Sequence, residues 1–241
     1  MRILLTNDDG MHAAQLVPLI RWLKTKFDVT VVVPKVEQSG KSHGIELHKP
    51  FEAKEVLLAP DIKVWAVDST PADCVRFAVL GLELPFDLVV SGINRGFNIG
   101  ADMMYSGTVG AAFEAVALGI PAVAISAPPE YYDGAVNHLE QIYAYFCANK
   151  LMDIHRLYNV NIPPQPQGIR ITRQGGPYYS DKFPWVAPDM VKAHGHCVHV
   201  DQKDMTLDTD AALNGYISVS PLTINRVDMA VYERLKALNG D

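Results

Sequence analysis

The chain has 241 residues, 49% of them apolar and 20% charged, with a formal net charge of -6 at neutral pH. That composition excludes disorder and low complexity, and the acidic balance excludes a general nucleic-acid or duplex binder, which needs a basic face to displace counterions from a phosphate backbone. Three scattered cysteines, Cys74, Cys147 and Cys197, do not make a disulfide framework, no window is long and apolar enough for a membrane span, and the apolar run in MRILLTNDDG is too short for an export signal, so a cytoplasmic setting is expected.

The first strand is RILLT at 2–6, followed by a helix whose Leu16, Leu19, Ile20, Leu23 and Phe27 recur at three-four spacing. Pro18 fits only its first turn. Strands follow at VTVVVP (29–34), KVWAV (63–67), DLVVS (87–91), PAVAIS (121–126) and LYNVNI (157–162). They are apolar on both faces, the mark of a parallel sheet covered by helices on each side with right-handed crossovers.

Two helix starts are explicit. In STPADCVRFAVL, Ser69 or Thr70 can cap, Pro71 suits the first position and Asp73 faces the free amides. A second helix begins near Thr108 and stops at Gly119 and Pro121. Cys74 and Cys147 sit in apolar helical patterns and are expected to be buried.

Beyond about residue 165 the rhythm fails. Pro163, Pro164 and Pro166, then GGPYYSDKFPWVAP, point to irregular strands and long hairpins. The expected architecture is a Rossmann-like three-layer α/β core over 1–165 and a β-rich extension over 166–241 that serves assembly and is not an independent domain.

The chemistry is expected at the carboxyl ends of the strands, where open α/β sheets bind ligands. Asp8 and Asp9 end the first strand, and Gly10 permits the turn that two adjacent carboxylates need to converge on one ion. A helix-capping turn at Asn7, Asp8 and Asp9 is the competing reading. The second strand delivers Ser39 and Gly40 to the same edge, beside Lys41. The fourth apolar strand runs into SGINRGFNIGADMMYSGTVGAAFEA, where Ser106, Gly107 and Thr108 open a helix and read either as a phosphate cradle or as ordinary caps. Asp8, Asp9, the Ser39 hydroxyl and the Asn94 carbonyl make an all-oxygen set suited to magnesium or manganese; zinc would want His or Cys.

NDDG at 7–10, SG at 39–40, VDSTPADCV from 67, SGINRGFNIGADMMYSGTVGAAFEA from 91 and GYISVSPL near the end together resemble the SurE family of metal-dependent nucleotidases over nearly the whole chain. The resemblance implies metal ligation by Asp8, Asp9, Ser39 and Asn94, with Asn98 and Tyr105–Thr108 lining a phosphate pocket. It implies hydrolysis of nucleoside 5′- or 3′-monophosphates, with short polyphosphate as a further substrate class, and C-terminal arms exchanged in a homodimer or tetramer. KSHGIEL after Ser39 departs from the more polar segment expected there, which bears on substrate selectivity.

Two other classes compete. A receiver-type phospho-switch also places paired acids after its first strand, but only Asp68 could be its phospho-acceptor, and Asp68 directly precedes a helix cap. A dinucleotide-binding oxidoreductase lacks its Gly-x-Gly-x-x-Gly after the first strand. His194, His196 and His199 with Cys197 invite a zinc assignment, but alternation on a strand explains His194 and His196 without metal, and zinc ligand pairs are usually spaced more widely.

Overall fold

The computed structural model describes residues 1–239. The chain forms β1 (Arg2–Thr6), α1 (Leu16–Lys24), β2 (Asp28–Pro34), β3 (Ala53–Ala59), β4 (Ile62–Val67), α2 (Pro71–Arg76), β5 (Leu88–Arg95), α3 (Gly107–Ala117), β6 (Ala122–Ala127), α4 (Leu139–Ala148), α5 (Leu151–Ile154), β7 (Leu157–Asn161) and β8 (Ile169–Ile171). Then come the arm strands β9 (Tyr179–Lys182), β10 (Trp185–Ala187), β11 (Met190–Val191) and β12 (His194–Cys197), followed by α6 (Asp208–Leu213), β13 (Ile217–Pro221) and α7 (Met229–Leu235).

Nine strands join in the order β3-β4-β2-β1-β5-β6-β7-β13-β8. The six from β4 to β7 are parallel, β3 hangs antiparallel on one edge, and β13 runs antiparallel to β7 and parallel to β8. This is the expected mostly parallel, three-layer α/β fold. The edge strand β3 was not expected: its Lys54, Glu55 and intervening apolar residues read as neither a clean alternation nor an apolar run. The sheet also takes two strands, β8 and β13, from beyond residue 165, so a boundary there runs through it.

Alternating residues divide the core into two. Ile3 and Leu5 of β1, Val31 and Val33 of β2, and Val123 and Ile125 of β6 pack under α1 and α4. Leu4, Val32, Ala122 and Ala124 point the other way, against Cys74, Val75, Ala111, Ala112 and Ala115 of α2 and α3. Small residues on both sides of that second interface let α3 approach closely, and it is buried almost all round. Burial of such side chains contributes about 1.5–3 kcal/mol each for the larger ones, which is why the two-faced apolar strand cannot sit at a solvent-facing sheet.

The helix starts are as expected. Thr70 Oγ1 accepts from the Asp73 amide with Pro71 at the first position of α2, and Ser106 Oγ accepts from the Val109 amide at the start of α3. Cys74 is buried, whereas Cys147 is exposed on the outer side of α4, against expectation. No helix of the described residues is long and apolar enough to cross a membrane.

The arm from Tyr179 to Gly195 is exposed at every residue, and its hairpin strands pair only with each other. His194, His196 and Cys197 lie on this hairpin, and among the described residues they do not converge as a ligand group.

Candidate metal and phosphate site

β1 lies between β2 and β5, so the chain departs to one side of β1 and later returns on the other. The loops after β1 and β5 therefore part and leave a crevice at the carboxyl ends of these strands. Asp8 and Asp9 follow β1, and Asn94 and Arg95 finish β5.

The turn that presents the two aspartates is built locally. The Asn7 side chain donates to the Gly10 carbonyl at 3.0 Å and accepts from the Gly10 amide at 3.2 Å. Gly10 has φ +84°, and a Cβ there would stand 2.9 Å from the Val36 carbonyl carbon. Only glycine satisfies both demands.

Asp8 is buried and gripped by the first turn of α3: the Thr108 amide donates to its Oδ2 at 3.1 Å, and the Thr108 hydroxyl donates to its Oδ1. A Cβ on Gly107 would lie 3.0 Å from the Asp8 Cβ, so the helix comes this close only because residue 107 has no side chain. The positive end of α3 thus faces a carboxylate. Asp9 accepts from the Arg95 amide at 2.9 Å and from the Tyr132 hydroxyl at 3.2 Å.

Thr108 therefore differs from the phosphate-facing role expected of it, since both its donors go to Asp8. Ser106 Oγ takes the Val109 amide as the helix cap. Among the described residues the Gly107 amide has no internal acceptor.

The other expected residues stand around this centre. Asn94 Nδ2 donates to the Gly96 carbonyl at 2.9 Å, which leaves its side-chain oxygen free to act as a ligand. The Gln38 amide donates to the Asp8 carbonyl at 2.7 Å and so docks the loop carrying Ser39 and Gly40, both exposed. The Ser39 hydroxyl donates to the Glu37 carboxylate at 2.6 Å. Asn98 is buried: its Nδ2 donates to Ser126 Oγ at 2.8 Å, and its backbone is held by Asn159 and Asn161 of β7. Asp68 follows β4, two strands away from β1, and lines the neighbouring pocket without contacting Asp8 or Asp9, so it is not the phospho-acceptor beside paired acids that a receiver would need.

Glu37, Tyr132 and the Arg95 amide were not anticipated. Nothing local marks them: Glu37 sits in a polar loop, Tyr132 in the 3-10 helix Pro129–His138 after β6, and a backbone amide carries no sequence signal.

Burial pushes the Asp8 carboxyl above its ordinary value despite the Thr108 hydrogen bonds, with the Glu37 charge adding to the rise. Burial first, and then the charge of Asp8, push Asp9 up to about 6 against the pull of the Arg95 amide and Tyr132. None of the ion pairs among the described residues involves either carboxylate. Two adjacent acids with oxygen donors beside them and no counter-ion fit a hard divalent cation.

The raised pKa has a stability consequence in metal-free protein. The fold binds the Asp9 proton more tightly than the unfolded chain does, so this contribution is fully present below pH 3.8 and is lost as pH rises through about 6. In chelator, Asp9→Asn is expected to melt above the wild type at pH 7, with the gap closing towards pH 3.8. Thermal melts across that range check it; an equal gap at both ends would contradict the cause given.

Comparison with known proteins agrees with this geometry. The family described as survival protein SurE matches residues 3–181. A protein named 5'-nucleotidase SurE from Pelotomaculum thermopropionicum is 39% identical over 252 residues, 99% of this chain and 95% of the relative. One of the same name from Synechococcus elongatus is 38% identical over 266 residues, 99% of this chain and 98% of its own. The crystal structure of a SurE protein from Aquifex aeolicus superposes with a TM-score of 0.76 at 32% identity, covering all of both chains. With NDDG, SG and the YSGT helix start brought to one crevice and the likeness running the full length, the chain belongs to the SurE family.

Proposed function

We propose that this protein is a divalent-metal-dependent 5′-nucleotidase, hydrolysing nucleoside monophosphates to nucleoside and phosphate. The observation that carries it is the Asp8–Asp9 pair at the sheet's switch point, Asp8 buried and held by the first turn of α3, Asp9 half-buried against the Arg95 amide and Tyr132, with no counter-ion on either among the described residues. The relatives' names supply the substrate class.

Asp8, Asp9, Ser39 and Asn94 would hold one magnesium or manganese ion. When bound, such an ion supplies charge for the phosphoryl oxygens and makes water a better nucleophile. The protein's own part is positioning. Asp8 is clamped at both oxygens by Thr108, which supports a fixed ligand and proton acceptor for attacking water over a nucleophile that must move to phosphorus. The Gly107 amide and the helix end behind it would receive a phosphate oxygen. Gly40, Asn98 and Ser106 would complete the phosphate pocket. The nucleoside would extend into an adjacent open pocket of about 490 Å³ that shares Gln38 and includes Lys41, Phe51 and Thr70. Its floor is steadied by KSHG: His43 Nε2 and Arg76 both pair with buried Glu114, at 2.6 and 2.9 Å.

Phosphate release from adenosine monophosphate, with manganese or magnesium and in chelator, tests the assignment. Release that needs added metal is expected; a panel of 5′- and 3′-monophosphates and polyphosphate then sets selectivity. Full turnover after thorough chelation would end the metal-dependent reading.

Thr108→Val keeps shape and amide but removes the hydroxyl on Asp8. A group that orients a ligand in this way is worth about 10–100-fold in metal affinity. Manganese titration is expected to show weaker binding, with activity recovering at high metal. Unchanged affinity would show the hydroxyl to be dispensable.

The same reading extends to assembly as a homodimer, or a tetramer, through the arm. Phe183, Trp185 and Met190 are 62%, 73% and 60% exposed, more apolar surface than a hairpin leaves to water without a partner. Phe183→Asp with Trp185→Asp is expected to lower the mass seen by light scattering; a wild type that is monomeric at micromolar concentration would refute the arm's role.

A further inference from the structure

At the base of the arm the chain leaves β12 and turns into α6, bringing together His199, Asp201 and Asp210. One ligand atom from each lies within 4.8 Å of the others. Asp210 is fully buried. Its Oδ2 accepts the Gln202 and Asp204 amides at 3.0 and 2.9 Å. Its Oδ1 lies 3.0 Å from His199 Nε2, an ion-pair separation that lacks hydrogen-bond alignment, and both atoms are shut off from water with no other partner among the described residues. A buried acceptor and ring nitrogen whose only contact is this poorly aligned one are incompletely satisfied, which is costly and needs an explanation. Two donors bound to one ion at about 2.0–2.2 Å stand roughly 3 Å apart, which is the separation found.

We infer that His199, Asp201 and Asp210 hold a second divalent cation, of the zinc class. An imidazole nitrogen beside two carboxylates favours such an ion over magnesium or calcium, in contrast to the all-oxygen set around Asp8. Asp201 Oδ1 accepts the Lys203 amide at 2.8 Å, and its Oδ2 now meets Lys203 Nζ at 2.5 Å and Asn214 Nδ2 at 3.1 Å; the lysine side chain is 73% exposed and free to swing away, and each oxygen keeps a lone pair for an ion. The ion ties the end of the arm to α6. From α6 the neighbouring Asp208 accepts from the Gly100 amide of the glycine-rich segment at 3.0 Å and from Gly175 at the arm's start at 2.7 Å. The site shares no residue with the Asp8 centre.

The test is zinc content by elemental analysis of the full chain after dialysis against buffered free zinc, in an Asp8→Asn, Asp9→Asn background that silences the first site. About one zinc per chain is expected. Adding His199→Gln should remove it, and adding His194→Gln with His196→Gln should not. Cobalt in place of zinc should give visible absorption that His199→Gln abolishes. If His199→Gln does not fold, as judged by circular dichroism, Asp201→Asn, at the surface, is expected to lose the metal in its place. A parent that binds no zinc, or zinc content unchanged by the ligand substitutions, would leave only a His–Asp ion pair and overturn the site. So would loss caused by the His194 and His196 changes.

Discussion

Asp9→Asn should abolish most phosphate release. The substitution keeps the shape and an acceptor for the Arg95 amide and Tyr132 hydroxyl, so the fold persists. What it removes is one full negative charge from the proposed ligand set. Electrostatic stabilisation of phosphoryl transfer through such an ion amounts to several kcal/mol. Losing about 4 kcal/mol of it lowers kcat/KM roughly a thousandfold. Manganese affinity should fall with it, and excess metal should restore part of the rate. Calorimetric titration and steady-state kinetics on one nucleotide measure both; a variant within threefold of wild type at limiting metal would remove Asp9 from the site.

Asp208→Ala should be the most damaging substitution outside that site. Its buried carboxylate accepts three amides, from Gly100, Gly175 and Thr209, at 3.0, 2.7 and 2.8 Å. Each buried amide left without an acceptor costs about 1–3 kcal/mol. With partial replacement by water, a total of about 4 kcal/mol and a fall in Tm on the order of 10 °C are expected. Asp208→Asn separates the contacts: its one oxygen can keep Gly175 and Thr209, while its amide group confronts the Gly100 donor. It should therefore cost less stability than alanine yet still disturb the glycine-rich segment, seen as a higher KM. Scanning calorimetry that found Asp208→Ala within 1 °C of wild type would contradict the network's importance.

The sequence was most legible where one residue's environment is dictated by its near neighbours. Apolar residues on both faces of RILLT and VTVVVP mark the parallel sheet, because only a strand covered on both sides tolerates them. Thr70 with Pro71, and Ser106 before Gly107, announce helix starts through bonds made within three residues. NDDG and the Asn94 segment are readable as a candidate site because strand ends in such sheets meet ligands.

Illegible features depend on chain segments far apart. That Thr108 turns both donors onto Asp8, a hundred residues away, follows from the close α3–β1 approach and not from YSGT itself. The half-polar β3 gains its place only by pairing with β4. Cys147 looked interior because its helix is apolar, but the exposed side of α4 falls at that position. Asp208 and Asp210 resemble any acidic pair at a short helix; their burial is set by the arm and the glycine-rich segment folding over them.

The insertion of β13 between β7 and β8 bears on how the protein is made. A chain emerging from the ribosome completes β1 to β7 first, and at about 5–20 residues per second the strand that covers β7 follows several seconds later. During that interval the backbone edge of β7, whose five residues end buried, is open to any passing strand. Nascent chains halted before Ile217 would therefore be expected to recruit holdase chaperones, and release from them should coincide with synthesis of β13.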